Sequence, residues 1–176
     1  MTALRALAVT ALLVVALTLQ LGVFPALSIA GVVPDVALIV VIALALARGP
    51  ELATLVGFAA GLTLDLAPPA DHTVGRWALA FVVVGYLAGL VRRDARSSAF
   101  AAVFVVAAGS FVGTSVFALS GLVLGEPGVS VSRVLQVIPV AVGYDVILTP
   151  FVVPVVLLLM RRLEPERRTE LVMAAR

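Results

Sequence analysis

The chain has 176 residues, of which 62% are hydrophobic and 12% charged, and its formal net charge is +2. A soluble domain of this length cannot bury so much apolar surface, so we expect most of the chain to lie in lipid. The absence of cysteine and the single histidine exclude disulfides and argue against a metal site, and no P-loop pattern is present. We expect no cofactor. The small basic excess fits membrane topology and anionic-lipid contact rather than nucleic-acid binding.

Six apolar runs follow one another along the chain. A spanning helix needs about 20 apolar residues, and the first, fifth and sixth runs reach that length easily. The second and third reach it only if Asp35 and Asp65 are counted, which places both acids at membrane depth. We predict an all-α membrane protein with a six-transmembrane-helix bundle over residues 1–163 and a short cytoplasmic tail over 164–176. The alternative has five spans, with the second and third runs as a re-entrant hairpin. The predicted spans are residues 6–24, 32–47, 52–68, 76–91, 99–124 and 134–160.

The distribution of arginine supports six spans and places both termini in the cytoplasm. With the N-terminus inside, ten of the 12 arginines fall on the cytoplasmic side, and only Arg76 and Arg133 fall outside. The first run could instead be a cleaved signal peptide, but its 19 residues exceed the usual signal core of about 7–15. The tail is either an amphipathic helix or a solvated flank.

Glycines recur at four-residue spacing in three of the predicted spans, and prolines interrupt the sixth. Glycine grooves let membrane helices approach closely, so these positions indicate packing within the chain or, alternatively, a groove for a partner. Prolines remove helical hydrogen bonds, so we expect the sixth helix to be bent or broken. The glycine pairs are Gly57 and Gly61, Gly85 and Gly89, and Gly109 and Gly113; the prolines are Pro139, Pro150 and Pro154.

Three charged residues are predicted to meet at the outer side of the bundle. Asp35 opens the second helix, Asp65 closes the third and Arg76 opens the fourth. A charge inside a membrane helix costs about 2.5–3.5 kcal/mol on insertion scales, so it must face protein, water or a counter-charge. We predict a partner-facing polar cluster in which Arg76 neutralises Asp65, Asp35 or both, with Trp77 as an interfacial anchor.

Each acid also has a simpler interpretation. Asp35 follows Pro34 and suits a helix N-cap. Asp65 lies in a last turn, where it opposes the helix dipole, so it needs either a structural ion pair or a bound ligand. Asp145, preceded by Tyr144, lies about 16 Å into the sixth run, near the predicted midplane. It either stays protonated and bonds another helix or lines a cavity.

No constellation typical of catalysis is present, so we do not expect an enzyme. The serines lack a histidine on a plausible side of the membrane, and the only histidine, His72, lies in a predicted loop.

Five motifs lie between Pro34 and Arg93: they are Pro34-Asp35, Arg48-Gly49-Pro50, GFAAGLTLDL from Gly57 to Leu66, PPADHTVGRWAL from Pro68 to Leu79, and VGYLAGLVRR from Val84 to Arg93. Together these motifs resemble those of the MreD family of rod-shape-determining membrane proteins. The proline-rich turn after Asp65 departs from the glycine- and serine-rich turn of many relatives.

The resemblance implies a non-enzymatic scaffold of the cell-elongation machinery in the bacterial plasma membrane. Such proteins regulate cell shape and lateral peptidoglycan synthesis with MreC, and in the wider complex with RodA, MreB and the elongation-specific penicillin-binding transpeptidase. It also implies an architecture similar to the substrate-binding subunits of energy-coupling-factor transporters. Pro34-Asp35, Asp65 and Arg76 match the family pattern.

The sequence also leaves two alternative functions open. A substrate-capture subunit of a vitamin transporter would use the predicted cluster as its site and Trp77 as a stacking wall. A carrier of a lipid-linked precursor has no supporting feature beyond Arg76. Ligand pockets combine apolar walls with convergent polar groups, and this chain has one Trp and two Tyr, so the chemistry of such a site is sparse.

Overall fold

The computed structural model describes residues 3–29, 31–68, 72–95 and 98–163, and the predicted tail at 164–176 lies outside these residues. The described chain is built of helices, six of them with 13 or more residues. They are α1 (Ala3–Gly22), α2 (Val36–Arg48), α3 (Pro50–Leu66), α4 (Arg76–Leu90), the four-residue α5 (Arg92–Ala95), α6 (Ala99–Val123) and α7 (Val131–Arg162), with a 3₁₀ turn at Phe24–Leu27.

Three of these helices, α1, α6 and α7, are long and apolar enough to cross a membrane. Their outward faces carry large apolar side chains, among them Phe100 at 88% and Val123 at 86% exposure. Contiguous exposed apolar surface of this kind is unfavourable in water and suits contact with lipid. The fold is therefore that of an all-helical protein with membrane-spanning capacity in three helices.

The helix boundaries follow from local capping signals. The side chain of Asp35 accepts a 3.0 Å hydrogen bond from the N–H of Leu38, so α2 begins at Val36, four residues after the start of the predicted span. Gly49, at φ 98°, makes the one-residue turn between α2 and α3 in a conformation that favours glycine. Pro50 then occupies the first turn of α3, where its missing N–H costs nothing.

The centre of the bundle is α2. All twelve residues from Val36 to Ala47 are buried, and the helix contacts α1, α3, α4, α6 and α7. A helix that is apolar all round must be enclosed on every side. At 13 residues, or about 20 Å, it is shorter than the roughly 30 Å hydrocarbon layer.

Helix α7 runs continuously from Val131 to Arg162 through its three internal prolines. Of the two expected outcomes, a bent or a broken helix, the break is absent from the described helix. Its end lies beside the start of α1 and the end of α2, because Arg5 Nε donates to the Leu163 carbonyl at 2.8 Å and Arg48 donates to the Met160 carbonyl at 3.0 Å. We call this the Arg161 end of the bundle.

Candidate functional site

At the opposite end, α3 ends, α4 begins and α6 ends; we call it the Asp65 end. Asp65 is fully buried, and its two carboxylate oxygens make four polar contacts. Three come from backbone N–H groups at the start of α4, those of Gly75 (2.9 Å), Trp77 (3.1 Å) and Ala78 (3.1 Å). The fourth contact is with Nε2 of His72, at 3.1 Å. Gly75 is the N-cap residue of α4, and the Asp65 side chain of α3 supplies the acceptors for the N–H groups at this helix start.

This arrangement resolves the unfavourable position of an acid at a helix C-terminus. The negative charge of Asp65 opposes the dipole of α3 but complements the dipole of α4, whose unpaired N–H groups point at it. Asp65 is therefore a paired residue, and its partners are the N-terminus of α4 and a histidine rather than an arginine.

Close contact between α3 and α4 makes this cap possible. A β-carbon added at Gly61 would lie 2.5 Å from backbone atoms of Trp77 and Ala78, and one at Gly57 would lie 2.6 Å from the Phe81 carbonyl oxygen. Real β-carbons do not approach so closely, so both positions require glycine at this helix separation.

The other glycines singled out in the sequence also face helices of the same chain. On α4, a β-carbon at Gly85 would lie 2.7 Å from the Ala53 carbonyl oxygen, and one at Gly89 would overlap Pro50. On α6, Gly109 faces Ile42, and Gly113 faces Leu38 and Val84. The α3–α4 pair is therefore a reciprocal glycine interface in which each helix offers two glycines to the backbone of the other.

Arg76 turns away from both aspartates. Its guanidinium forms an ion pair with Glu126 and donates to the Phe117 carbonyl and to the Ser120 hydroxyl. The prediction that Arg76 neutralises Asp65 or Asp35 is therefore wrong for the described residues. The physical reason is that α4 donors already occupy both oxygens of Asp65, whereas the last turns of α6 present the Phe117 carbonyl and the Ser120 hydroxyl, and the loop after α6 supplies Glu126.

The guanidinium is enclosed tightly. Arg76 is 4% exposed, and its Cζ lies 3.9 Å from the centre of the Phe117 ring, a cation–π geometry. A β-carbon at Gly121 would overlap the guanidinium, so glycine at this position makes room for it. Arg76 thus ties α4 to α6 through charge, hydrogen bonds and an aromatic face.

Glu126 connects the same arginine to the loop before α4. Its Oε1 accepts a 2.6 Å hydrogen bond from the backbone N–H of Thr73. This hydrogen bond and, to a smaller extent, the nearby charge of Arg76 lower the pKa of Glu126 below its usual value. The loops preceding α4 and following α6 are therefore joined by an ionised carboxylate.

Aromatic rings complete this end of the bundle. Phe117 stacks on Trp77 with ring centres 4.1 Å apart, and its edge contacts the ring of His72 at 5.4 Å. Trp77 also meets Phe81 edge-on at 5.8 Å. Phe117 therefore occupies one face of the Trp77 indole, and that face is closed to a stacking ligand.

Asp35 belongs to a second, separate cluster. Besides capping α2, it donates its backbone N–H to Oδ1 of Asp145 at 2.9 Å, and Gln20 accepts from the N–H of Ala37 nearby. The predicted single cluster of Asp35, Asp65 and Arg76 is thus corrected to two clusters. The reason is that α2 starts deeper in the bundle than expected, where α7 contributes Asp145.

Asp145 is 1% exposed and faces α2 and α6. Its Oδ2 and the neighbouring hydroxyl of Ser110 have no hydrogen-bond partner among the described residues. Thr149, one turn later, bonds back to the Asp145 carbonyl, and Tyr144 donates its hydroxyl to the Leu27 carbonyl. The pair Tyr144 and Asp145 therefore holds the segment before α2 against α7.

Sequence reasoning missed several partners of the predicted residues. His72, Phe117, Ser120 and Glu126 build the Asp65 end, and Gln20 lies in the second cluster. The one signal in the sequence for these partners was Glu126, in the short loop between α6 and α7. A buried arginine needs an acid at the same depth, and Glu126 can meet this need of Arg76.

The described residues offer little for ligand chemistry at the Asp65 end. The cavity beside Arg76 has a volume of about 160 Å³, smaller than ordinary small-molecule sites of roughly 300–1,000 Å³. Within the same residues, no group of three or more metal-binding side chains comes together. Comparison of the chain with protein-family models, with curated proteins and with solved structures finds no match.

Proposed function

We propose that this chain is a non-enzymatic, six-span scaffold of the bacterial cell-elongation complex, located in the plasma membrane and bound to MreC. The proposal starts from the motif set between Pro34 and Arg93, which resembles the MreD family. In this role the protein would regulate cell shape by holding wall-synthesis partners together.

One structural observation carries the proposal. The charged groups of Asp65 and Arg76 are both occupied by partners inside the chain, at 0% and 4% exposure. Such groups rigidify the site that they occupy and are poorly placed to bind a small ligand. A polar centre of this kind supports a structural and docking role for the Asp65 end.

Six crossings are part of the proposal. Helices α2, α3 and α4 have 13, 17 and 15 residues, about 20–26 Å, so each needs flanking residues to complete a crossing. Irregular backbone is tolerated at membrane depth where protein encloses it, and Val32, Pro34 and Asp35 before α2 are buried. The gathering of Arg5, Arg48, Arg161 and Arg162 at the Arg161 end supports placing that end in the cytoplasm.

We further propose that MreC docks at the Asp65 end, where the links between α3, α4 and α6 fix the surface. The test compares co-purification of MreC with wild type, Asp65→Asn and Arg76→Gln from native membranes. The matched control is Thr63→Ala, an exposed residue of α3 whose hydroxyl donates to the Ala59 carbonyl of its own helix. The proposal expects both cluster variants to lose MreC while the control keeps it; co-purification that survives in both would remove the cluster as the docking determinant.

The alternative is a substrate-capture subunit of a vitamin transporter. It finds less support, because the cavity of about 710 Å³ is lined only by apolar side chains and glycine, and the cavity of about 520 Å³ has only Ser98, Thr149 and Arg161 as polar lining residues. Gene neighbourhood discriminates between the two proposals: transporter ATPase genes favour the alternative, and cell-wall genes favour the scaffold.

A further inference from the structure

A groove of about 520 Å³ opens on the side of the bundle at the Arg161 end. Its walls are α6 and α7, with Leu46 of α2 at the base. The volume falls within the range of small-molecule sites, roughly 300–1,000 Å³. An apolar groove of this size at the side of a membrane helix bundle is suited to one hydrocarbon chain.

Small residues and prolines shape this groove. On α6, Ala99 and Ala102 leave space that larger side chains would fill. On α7, Pro150 and Pro154 line the facing wall, and because proline has no N–H, neither continues the helical hydrogen-bond ladder. The residue types on both walls therefore account for the shape of the groove.

The mouth of the groove is cationic. Arg161 lines it, is exposed, and forms no ion pair with any residue that the structure describes. Arg48 lies close by, since it donates to the carbonyl of Met160, the residue before Arg161. Ser98 adds a hydroxyl at the start of α6. Positive charge beside an apolar groove is complementary to a molecule with an anionic head and a hydrocarbon tail.

A second groove in the same molecule provides the contrast. It lies between α4 and α6, is larger at about 710 Å³, and is lined only by apolar side chains and glycine. Lipid tails can enter either groove, but only the α6–α7 groove places a charged side chain where a head group would lie.

We propose that the α6–α7 groove is a binding site for an anionic phospholipid, with one acyl chain between Ala102 and Val153 and the phosphate on Arg161. The proposal requires that the chain lie in a membrane, but it does not depend on the scaffold role. The bound lipid would fill the space between α6 and α7 and neutralise Arg161.

The test is native mass spectrometry of the purified full chain with phosphatidylglycerol or phosphatidylcholine of identical acyl chains. Wild type is expected to retain phosphatidylglycerol preferentially. Arg161→Gln should weaken that binding about fivefold, the effect of one basic residue at an anionic surface. The matched control is Arg162→Gln, because Arg162 is also exposed but does not line the groove. Equal loss in both variants, or no preference in wild type, overturns the proposal.

A second pair of variants tests the acyl chain. Ala102→Leu fills the α6–α7 groove and should reduce lipid retention, whereas Ala101→Leu on the α4–α6 groove should leave the preference for phosphatidylglycerol unchanged. Circular dichroism confirms that each variant is folded. If both leucine variants retain phosphatidylglycerol like wild type, the groove is not the site. Co-purification of MreC is measured separately, so a negative result for lipid binding does not contradict the scaffold proposal.

Discussion

The carboxylate of Asp65, in the last turn of α3, accepts a 3.1 Å hydrogen bond from the backbone N–H of Ala78 in the first turn of α4. With the N–H groups of Gly75 and Trp77, this contact makes one acid the shared end of two antiparallel helices. The link explains how an acidic residue can be fully buried beside a helix C-terminus without an arginine as its partner.

Replacing Asp65 with asparagine tests this cap. The amide keeps the size of the side chain but points an N–H₂ group at backbone donors, so some of them lose their acceptor. We expect the free energy of unfolding to fall by about 1–3 kcal/mol, measured by thermal or denaturant unfolding in detergent. Thr63→Ala, on the exposed face of the same helix, should change it by less than about 0.5 kcal/mol. An Asp65→Asn protein as stable as wild type would contradict the cap.

The glycine interface gives a second prediction. Gly61→Ala places a methyl group 2.5 Å from the backbone of Trp77 and Ala78, so α3 and α4 must separate. We expect a loss of about 1–3 kcal/mol, the usual cost of overpacking. Gly143→Ala in α7 is the matched control, since a β-carbon there meets nothing within 4 Å and alanine favours helix. Its stability should equal or exceed that of wild type; equal losses at both positions would argue against close α3–α4 packing.

Glu126 predicts a pH dependence of stability. Because its pKa is lowered in the folded protein, chiefly by the N–H of Thr73, the unfolded chain binds the proton more tightly. The stabilisation is therefore present above the pKa of the unfolded chain and is lost as the pH falls through the lower, folded value. Melting temperatures of wild type and Glu126→Gln should differ at neutral pH and converge in acid.

The control for this measurement is Glu51→Gln, an exposed acid in the first turn of α3. Its melting temperature should follow that of wild type across the same pH range more closely than that of Glu126→Gln. A Glu126→Gln curve parallel to wild type at all pH values would show that the Thr73–Glu126–Arg76 link contributes no pH-dependent stability.

The second cluster predicts a difference between two substitutions of Asp145. Asparagine retains an oxygen that can accept the N–H of Asp35 and an amide that can donate to Ser110. Leucine offers neither, so the buried N–H of Asp35 is left unpaired at a cost of about 1–3 kcal/mol. Unfolding experiments should therefore give Asp145→Asn a clearly higher free energy of unfolding than Asp145→Leu. The reverse order would show that the contact with Asp35 is unimportant.

The apolar runs of the sequence coincide with the six longer helices, and several of these helices begin or end at a strong local signal. Asp35, Gly49, Pro50, Ser98 and Ser130 cap or separate helices in the structure as their residue types favour. The start of the second helix was placed too early, because Val32 and Val33 are apolar but precede Pro34, which restricts the residue before it.

The partners of the charged residues could not be predicted in the same way. Asp65 and Arg76 stood out because acids and arginines are rare in this chain, but the partners of Arg76 lie 41 to 50 positions away. Backbone N–H groups, which satisfy Asp65, leave no trace in a sequence. Asp35 and Asp145 are 110 positions apart in the sequence, and they are in contact because α2 and α7 pack side by side.

The most direct test of the scaffold proposal is a pull-down of the tagged chain from detergent-solubilised native membranes, with bound proteins identified by mass spectrometry. The account predicts recovery of MreC together with the elongation-specific transpeptidase. Recovery of a pair of transporter ATPases with a coupling membrane subunit, and no MreC, would contradict it and indicate a substrate-capture protein.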